Sequence, residues 1–290
     1  MDSDSQFDPI LREMLDAHLD ARTPGSLVAA IEHAVFPGGH RIRPRITIAV
    51  ARACGIDDPD VALAAAASLE FLHCASLVHD DMPCFDDAAT RRGKPSVHAA
   101  FGEALALLAG DALIVLSFQV LVRGVADRPD RFRALTDVLG RSAGLPGGIV
   151  AGQSWECEAD VDLDEYHRAK TGALFGAATM AGAAAAGFDH AGWARMGERL
   201  GRAYQVADDL LDRFGDPEVI GKPVGCDQRR GRPNCVSELG VEEVSRQLKT
   251  LVSGVQQAIP DCPGRAALAA DVQREAQSFV ALALGRRRAA

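Results

Sequence analysis

The sequence predicts an all-α protein, a large single-domain helical bundle over residues 1–290, and three observations carry that expectation. Hydrophobic residues make up 48% of the chain while aromatics make up only 5%. Alanine fills much of the difference, and an Ala-rich chain poor in Trp and Tyr favours helix over strand. Apolar residues recur at helical spacing, and few runs alternate apolar and polar with period two. The helical segments are separated by short Gly/Pro breaks, with no repeat and no linker rich in Pro, Ser and Gly, so 290 residues form one bundle of ten or more helices around one core.

The breaks fall at Phe36-Pro37-Gly38-Gly39, Leu145-Pro146-Gly147-Gly148 and Gly221-Lys222-Pro223. Between them lie three long helix candidates: Val61 to Asp81, Gly102 to Gly124, and Ala194 to Gly215. The stretch ALFGAATMAGAAAAGF, Ala173 to Phe188, is short of the roughly 18 residues needed to cross a bilayer. Its Ala and Gly content suits a tightly packed core helix, and no transmembrane segment is expected. Several helices are apolar nearly all round, which fits a homodimer.

The net charge of −9 argues against a nucleic-acid surface. An acidic protein that takes an anion must use placed arginines or metal ions. The 7 cysteines are scattered without a C-x-x-C pair, so they read as buried reduced thiols rather than a zinc site or disulfide framework. The N-terminal MDSDSQFDPILREMLD is acidic and has no basic-then-apolar leader, so a cytoplasmic location is expected.

The segment LVHDDMPCFDDAATRRGKP crowds Asp80, Asp81, Asp86 and Asp87 just ahead of Arg91, Arg92 and Lys94. His73 and Asp80, seven apart on a helix, point the same way. Pro83 cannot continue the helix, so the chain should turn out near Met82 and bring Asp86 back beside Asp80. Bunched carboxylates raise one another's pKa unless a cation lies between them. Mg²⁺ suits such a site, taking one or two carboxylates and filling its other positions with water and phosphate. A solvated acidic loop is the plain alternative for this segment taken alone.

A second cluster, YQVADDLLDRFGD, sets Gln205, Asp208 and Asp212 along one helix face with Asp209 beside them, and Lys222 and Asp227 follow. Carboxylates four apart repel on a helix by a few tenths of a kcal/mol, which a metal ion would offset. Two such clusters, each followed by cations, describe a diphosphate site: metals bridge the diphosphate and arginines grip it in bidentate fashion.

These motifs resemble those of the trans-prenyl diphosphate synthases. DDMPCFD with RRGKP is similar to the family's first aspartate-rich motif, and DDLLD with GKPVGCD to the second. GGHRIRP (Gly38 to Pro44), FLHCASLVHDD, Gly152-Gln153 and KTGALF (Lys170 to Phe175) stand in the expected places. Within the family the chain resembles most the bacterial geranylgeranyl diphosphate synthases of carotenoid and bacteriochlorophyll pathways. The resemblance implies Mg²⁺ held by Asp80 and Asp86 with Asp81 in support, and by Asp208 with Asp209 and Asp212 alongside, three ions in all. It implies that Arg91, Lys170 and Lys222 hold an allylic diphosphate (dimethylallyl, geranyl or farnesyl). Arg43, His73 and Arg92 would hold isopentenyl diphosphate, and Thr171 and Gln205 would line the reacting carbons.

Two positions depart from the family pattern. His40 stands where a lysine is usual, so affinity for isopentenyl diphosphate is expected to be lower or more pH-dependent. After GKPVGCD, a Lys followed by Ser or Thr is usual; here Gly231-Arg232-Pro233-Asn234 keeps the cation in Arg232. One turn or so before Asp80, Ala75 and Ser76 are small, where shorter-product relatives often carry an aromatic floor at the place of Ala75. The growing tail should pass toward Phe71, favouring a C20 product over C15. Farnesyl diphosphate synthesis, a terpene cyclase and a non-catalytic partner subunit are the competing readings.

Overall fold

The computed structural model describes residues 7–36, 39–160, 165–166, 168–214 and 241–283. Among them are twelve α-helices, one two-stranded hairpin and short 3-10 and π turns. The helices are α1 (Asp8–Asp16), α2 (Gly25–Val35), α3 (Ile42–Ala53), α4 (Pro59–Asp80), α5 (Val97–Phe101) and α6 (Glu103–Val125). They continue with α7 (Pro129–Ala143), α8 (Ile149–Ser154), α9 (Ala173–Ala185), α10 (Ala194–Phe214), α11 (Val241–Gln257) and α12 (Arg265–Ala283). Strands β1 (Thr90–Arg91) and β2 (Lys94–Pro95) pair antiparallel between α4 and α5.

Helix α4 is the axis of the bundle, packing against α3, α6 and α9. Its start is set by Pro59 in the first turn and by Asp58, whose side chain accepts from the Asp60 amide at 3.1 Å, a paired helix-start signal. Ala64, Ala65, Ala66 and Ala67 are all buried, so neighbouring backbones approach closely on every side. Helix α6 runs antiparallel to it. The Ser68 hydroxyl donates to the Ser117 carbonyl at one level. At another, His79 Nε2 lies 3.3 Å from the Leu107 carbonyl oxygen. By helical spacing Ala75, seven after Ser68 and four before His79, faces this same seam.

Both α4 and α6 are long and apolar enough to span a bilayer by length and composition. The Ala- and Gly-rich stretch from Ala173 forms α9, nearly all of it buried. In α4 the apolar stretch is 78% buried, against 44% in α6. The outer flank of α6 shows Leu107, Leu108, Val115 and Val122, each about half exposed.

A second apolar cluster joins the far end of α3 to α10, α11 and α12 through Cys54, Trp193, Met196, Val252, Val255 and Leu268. A cavity of about 740 Å³ opens between these helices, lined mostly by apolar side chains such as Ile46, Leu200 and Leu268. None of the clustered aspartates of the Asp80 loop lines it. The cysteines are not uniformly buried as expected. Cys54 and Cys74 are buried, but Cys84, on the turn after α4, and Cys157, at the end of the 3-10 turn Trp155–Cys157, are exposed.

Candidate active site

The α4 terminus builds the first half of the site. The helix ends at Asp80, and the Asp86 amide returns to donate to the Asp80 carbonyl at 2.9 Å. The Asp87 and Ala88 amides close on the Met82 and Asp81 carbonyls, each at 3.1 Å. This tight loop brings Asp80 and Asp86 together despite their spacing, as the sequence predicts. A third carboxylate joins them: oxygens of Asp80, Asp86 and Glu156 lie within 4.8 Å of one another. An all-oxygen carboxylate set of this size fits a hard divalent cation such as Mg²⁺.

Three side chains meet the Asp80 carboxylate. Gln153 donates its amide to Oδ1 at 2.8 Å, Lys170 Nζ donates to Oδ1 at 3.3 Å, and Arg91 stands 3.9 Å from Oδ2. Lys170 also pairs with Glu156, which accepts from the Tyr166 hydroxyl at 2.6 Å. Lys170 and Thr171 sit on a π-helical turn, Arg168–Gly172, a local irregularity found often at functional sites. Gly152 explains how α8 reaches this turn. A Cβ there would stand 2.4 Å from the Lys170 backbone nitrogen, so only glycine lets Gln153 come close enough to bond Asp80. Thr171 Oγ1 and Gln205 Oε1 lie 3.5 Å apart, joining the π turn to α10.

The hairpin sends its two arginines to different places. Arg91 Nε donates to both oxygens of Asp81 at 3.0 Å. Burial pushes the Asp81 carboxyl up, and the bidentate Arg91 opposes that shift without cancelling it. Arg92 sits in the turn with φ of 51° and lays its guanidinium against Gly39, where a Cβ would be 2.8 Å away.

Arg92 joins a second group of cations. Arg43, in the first turn of α3, places its guanidinium 4.7 Å above the Phe175 ring, a cation–π contact. The Phe175 and Tyr204 rings are 5.3 Å apart. Arg43 Nε and His73 Nδ1 are both buried and unpartnered. Burial, and then the charges of Arg43, Arg92, Arg91 and Arg41, pushes the His73 imidazole well below the ordinary histidine range. Buried polar nitrogens without partners, set among arginine charges, describe a place shaped for an anion.

The pH consequence follows from the sign of that shift. The unfolded histidine takes a proton below about pH 6.5, whereas the folded one does not, so acid favours unfolding. The midpoint of thermal unfolding of the ligand-free protein is expected to fall from pH 7 to pH 5.5. His73→Gln should flatten that fall; an unchanged slope in the variant contradicts the assignment.

Other expected site residues are placed as follows. His40 is exposed just before α3. Ser76 is half-buried and donates to the His73 carbonyl at 2.8 Å. Ala75 and Phe71 are buried in the main core. Asp208, Asp209 and Asp212 lie on α10, and their side chains are outside what is described. Lys222 and Arg232 lie outside the described residues. The sequence reading assigned no role to Gln153, Glu156, Arg41 or Glu70. Glu156 follows Gln153 by three positions, the spacing of one helix face, and that spacing was the available signal.

The sequence profile of polyprenyl synthetases matches residues 25–262. The chain belongs to the polyprenyl synthetase family. It is 53% identical over 260 residues to a geranylgeranyl diphosphate synthase of Cereibacter sphaeroides, covering 90% of each chain. A geranylgeranyl diphosphate synthase of Rhodobacter capsulatus is 49% identical, with 97% of each chain covered. Among solved structures, a geranyltransferase from Helicobacter pylori complexed with magnesium and isoprenyl diphosphate superposes with a TM-score of 0.77 at 27% identity, covering 95% of this chain and 97% of that one. As a polyprenyl synthetase the chain is an isoprenoid-forming transferase, and the all-α fold and acidic cluster are those such a transferase requires.

Proposed function

We propose that this polyprenyl synthetase is a Mg²⁺-dependent geranylgeranyl diphosphate synthase that condenses isopentenyl diphosphate head-to-tail with an allylic diphosphate. The observation that carries the reading is the pairing of two sites: the Asp80–Asp86–Glu156 carboxylates beside Lys170 and Arg91, and the Arg43 and Arg92 guanidiniums around a neutral His73, with Arg43 Nε and His73 Nδ1 buried and unpartnered. A terpene cyclase ionises one diphosphate and has no need of the second group. The names of the two most similar relatives reported above support a C20 product.

The roles follow from charge. Asp80 and Asp86, with the α10 aspartates assigned from the sequence, would hold Mg²⁺, three ions by family resemblance, which would supply positive charge to the departing diphosphate. Lys170 and Arg91 hold that allylic diphosphate, and Lys222 is assigned to it from the sequence. Arg43, His73 and Arg92 hold isopentenyl diphosphate, and His40 and Arg232 are assigned to substrate binding from the sequence. Ionisation of the allylic C–O bond leaves positive charge on carbon, which the Thr171 and Gln205 oxygens face. The isopentenyl double bond attacks that carbon, and the proton lost afterwards passes to the departing diphosphate. Water would quench the cation, so the apolar helices must exclude it.

Product length is tested by incubating the protein with Mg²⁺, labelled isopentenyl diphosphate and each of the C5, C10 and C15 allylic diphosphates, then separating the dephosphorylated products. A C20 alcohol is expected. Ala75→Phe should shift the product toward C15, because an aromatic ring would fill the α4–α6 seam. A parent product that stops at C15 overturns the C20 reading, and no product from any starter revives the partner-subunit reading. The exposed flank of α6 suits a second copy of the chain, so sedimentation is expected to give twice the chain mass; a monomer would contradict it.

A further inference from the structure

Cys54 and Cys262 lie at opposite ends of the sequence but meet in space. Cys54 caps the C-terminal end of α3, its amide donating to the Val50 carbonyl at 2.9 Å, and its side chain is 2% exposed. Cys262 lies in the connection between α11 and α12 and is half-buried. The segment carrying it is pressed onto the end of α3. The Gly264 amide donates to the Ala53 carbonyl at 2.7 Å, and a Cβ at Gly264 would stand 2.7 Å from Ala53 Cα. Cys262 packs against the buried apolar cluster to which Cys54 belongs. The backbone contact between Gly264 and Ala53 holds the two cysteine-bearing segments against each other, and a disulfide asks only that their Cα atoms come within about 4.4–6.8 Å.

We propose that Cys54 and Cys262 are a redox pair that closes a disulfide clamp between α3 and the α11–α12 hairpin when the protein meets a disulfide oxidant such as oxidised glutathione. Cys262, the more accessible sulfur, attacks as thiolate on one glutathione sulfur and releases one glutathione. Cys54 gives its proton to solvent and attacks the Cys262 sulfur of the mixed disulfide, which releases the second glutathione. Two protein thiols are oxidised and one glutathione disulfide is reduced to two thiols.

The environment keeps the pair reduced until then. Burial pushes the Cys54 thiol up to about 12, and burial also raises that of Cys262. The thiolate is the reactive form, so closure should quicken as pH rises. The clamp would anchor the far end of the helix whose first turn carries Arg43, and would bind together elements distant in sequence. Long closed loops lose the most unfolded-state entropy. The expected gain is about 5–10 °C in the midpoint of thermal unfolding.

The full chain, reduced and freed of reductant, is incubated with oxidised glutathione at pH 8.5 and digested without reduction for mass spectrometry. A linked peptide pair containing Cys54 and Cys262 is expected, with the thermal shift, and dithiothreitol should reverse both. Cys262→Ser, at the half-buried position, should show neither; Cys54→Ser is the second variant if it folds. Glutathione retained on Cys262 without a cross-link overturns the proposal. So does a thermal shift that persists in Cys262→Ser, or a cross-link that leaves the midpoint unchanged.

Discussion

Asp80→Asn is expected to lower turnover by roughly 10²-fold or more while leaving the fold intact. Asp80 is the convergence point of the site, meeting Gln153 at 2.8 Å, Lys170 at 3.3 Å and Arg91 at 3.9 Å. Its oxygens share a space with those of Asp86 and Glu156. An amide has the same shape but removes one negative charge from that set and presents a donor to Lys170. The site lies at the open end of α4, so the core below should not feel the change. Steady-state turnover at saturating Mg²⁺, with circular dichroism melting as control, decides it. Activity within a few-fold of the parent would remove Asp80 from the chemistry. A comparable loss for Asp208→Ala is expected from the sequence.

Glu70→Ala is expected to destabilise the protein by about 3–5 kcal/mol, since it strands a buried charge. Glu70 and Arg41 are each 2% exposed. Arg41 Nη1 donates to Glu70 Oε1 at 2.6 Å, Nε to Asp8 Oδ1 at 2.8 Å and Nη2 to the Val35 carbonyl at 2.7 Å. Burial alone would lower the Arg41 pKa; the charge of Glu70 leads the effects that reverse it and raise it. One guanidinium thus ties α1, the end of α2 and α4 at a point where the backbone is left-handed, with φ of 45°. Arg43 follows two residues later, so this anchor also aims α3 at the anion site. Urea unfolding of Glu70→Ala and Glu70→Gln should show the larger loss for alanine. A loss under about 1 kcal/mol for alanine would mean that water or Asp8 takes over the guanidinium.

The long helices were legible because their signals are local. The sequence predicts a helix from Val61 to Asp81 and α4 spans Pro59–Asp80; the apolar period and Pro83 after the end act within a few residues. The Asp80–Asp86 convergence was legible for the same reason, since a proline stop forces a tight return. Glu156 is not: its spacing from Gln153 is a local hint, but its place beside Asp80 depends on α8 docking against the π turn through Gly152. Within GGHRIRP nothing local marks Arg41 apart from Arg43, because its role depends on burial against Glu70. The cysteines were read one by one, and only packing brings Cys54 to Cys262.

By itself, then, the sequence determined the helical class, the principal helices, the two acidic clusters and the cations that follow them. Periodicity, proline stops and like-charge crowding are properties of neighbouring residues. Tertiary structure alone decided which donors each carboxylate meets, and that Arg41 is buried among Glu70, Asp8 and Val35. Those outcomes depend on where distant helices cross, and burial, not sequence spacing, sets the strength of the charges that meet there.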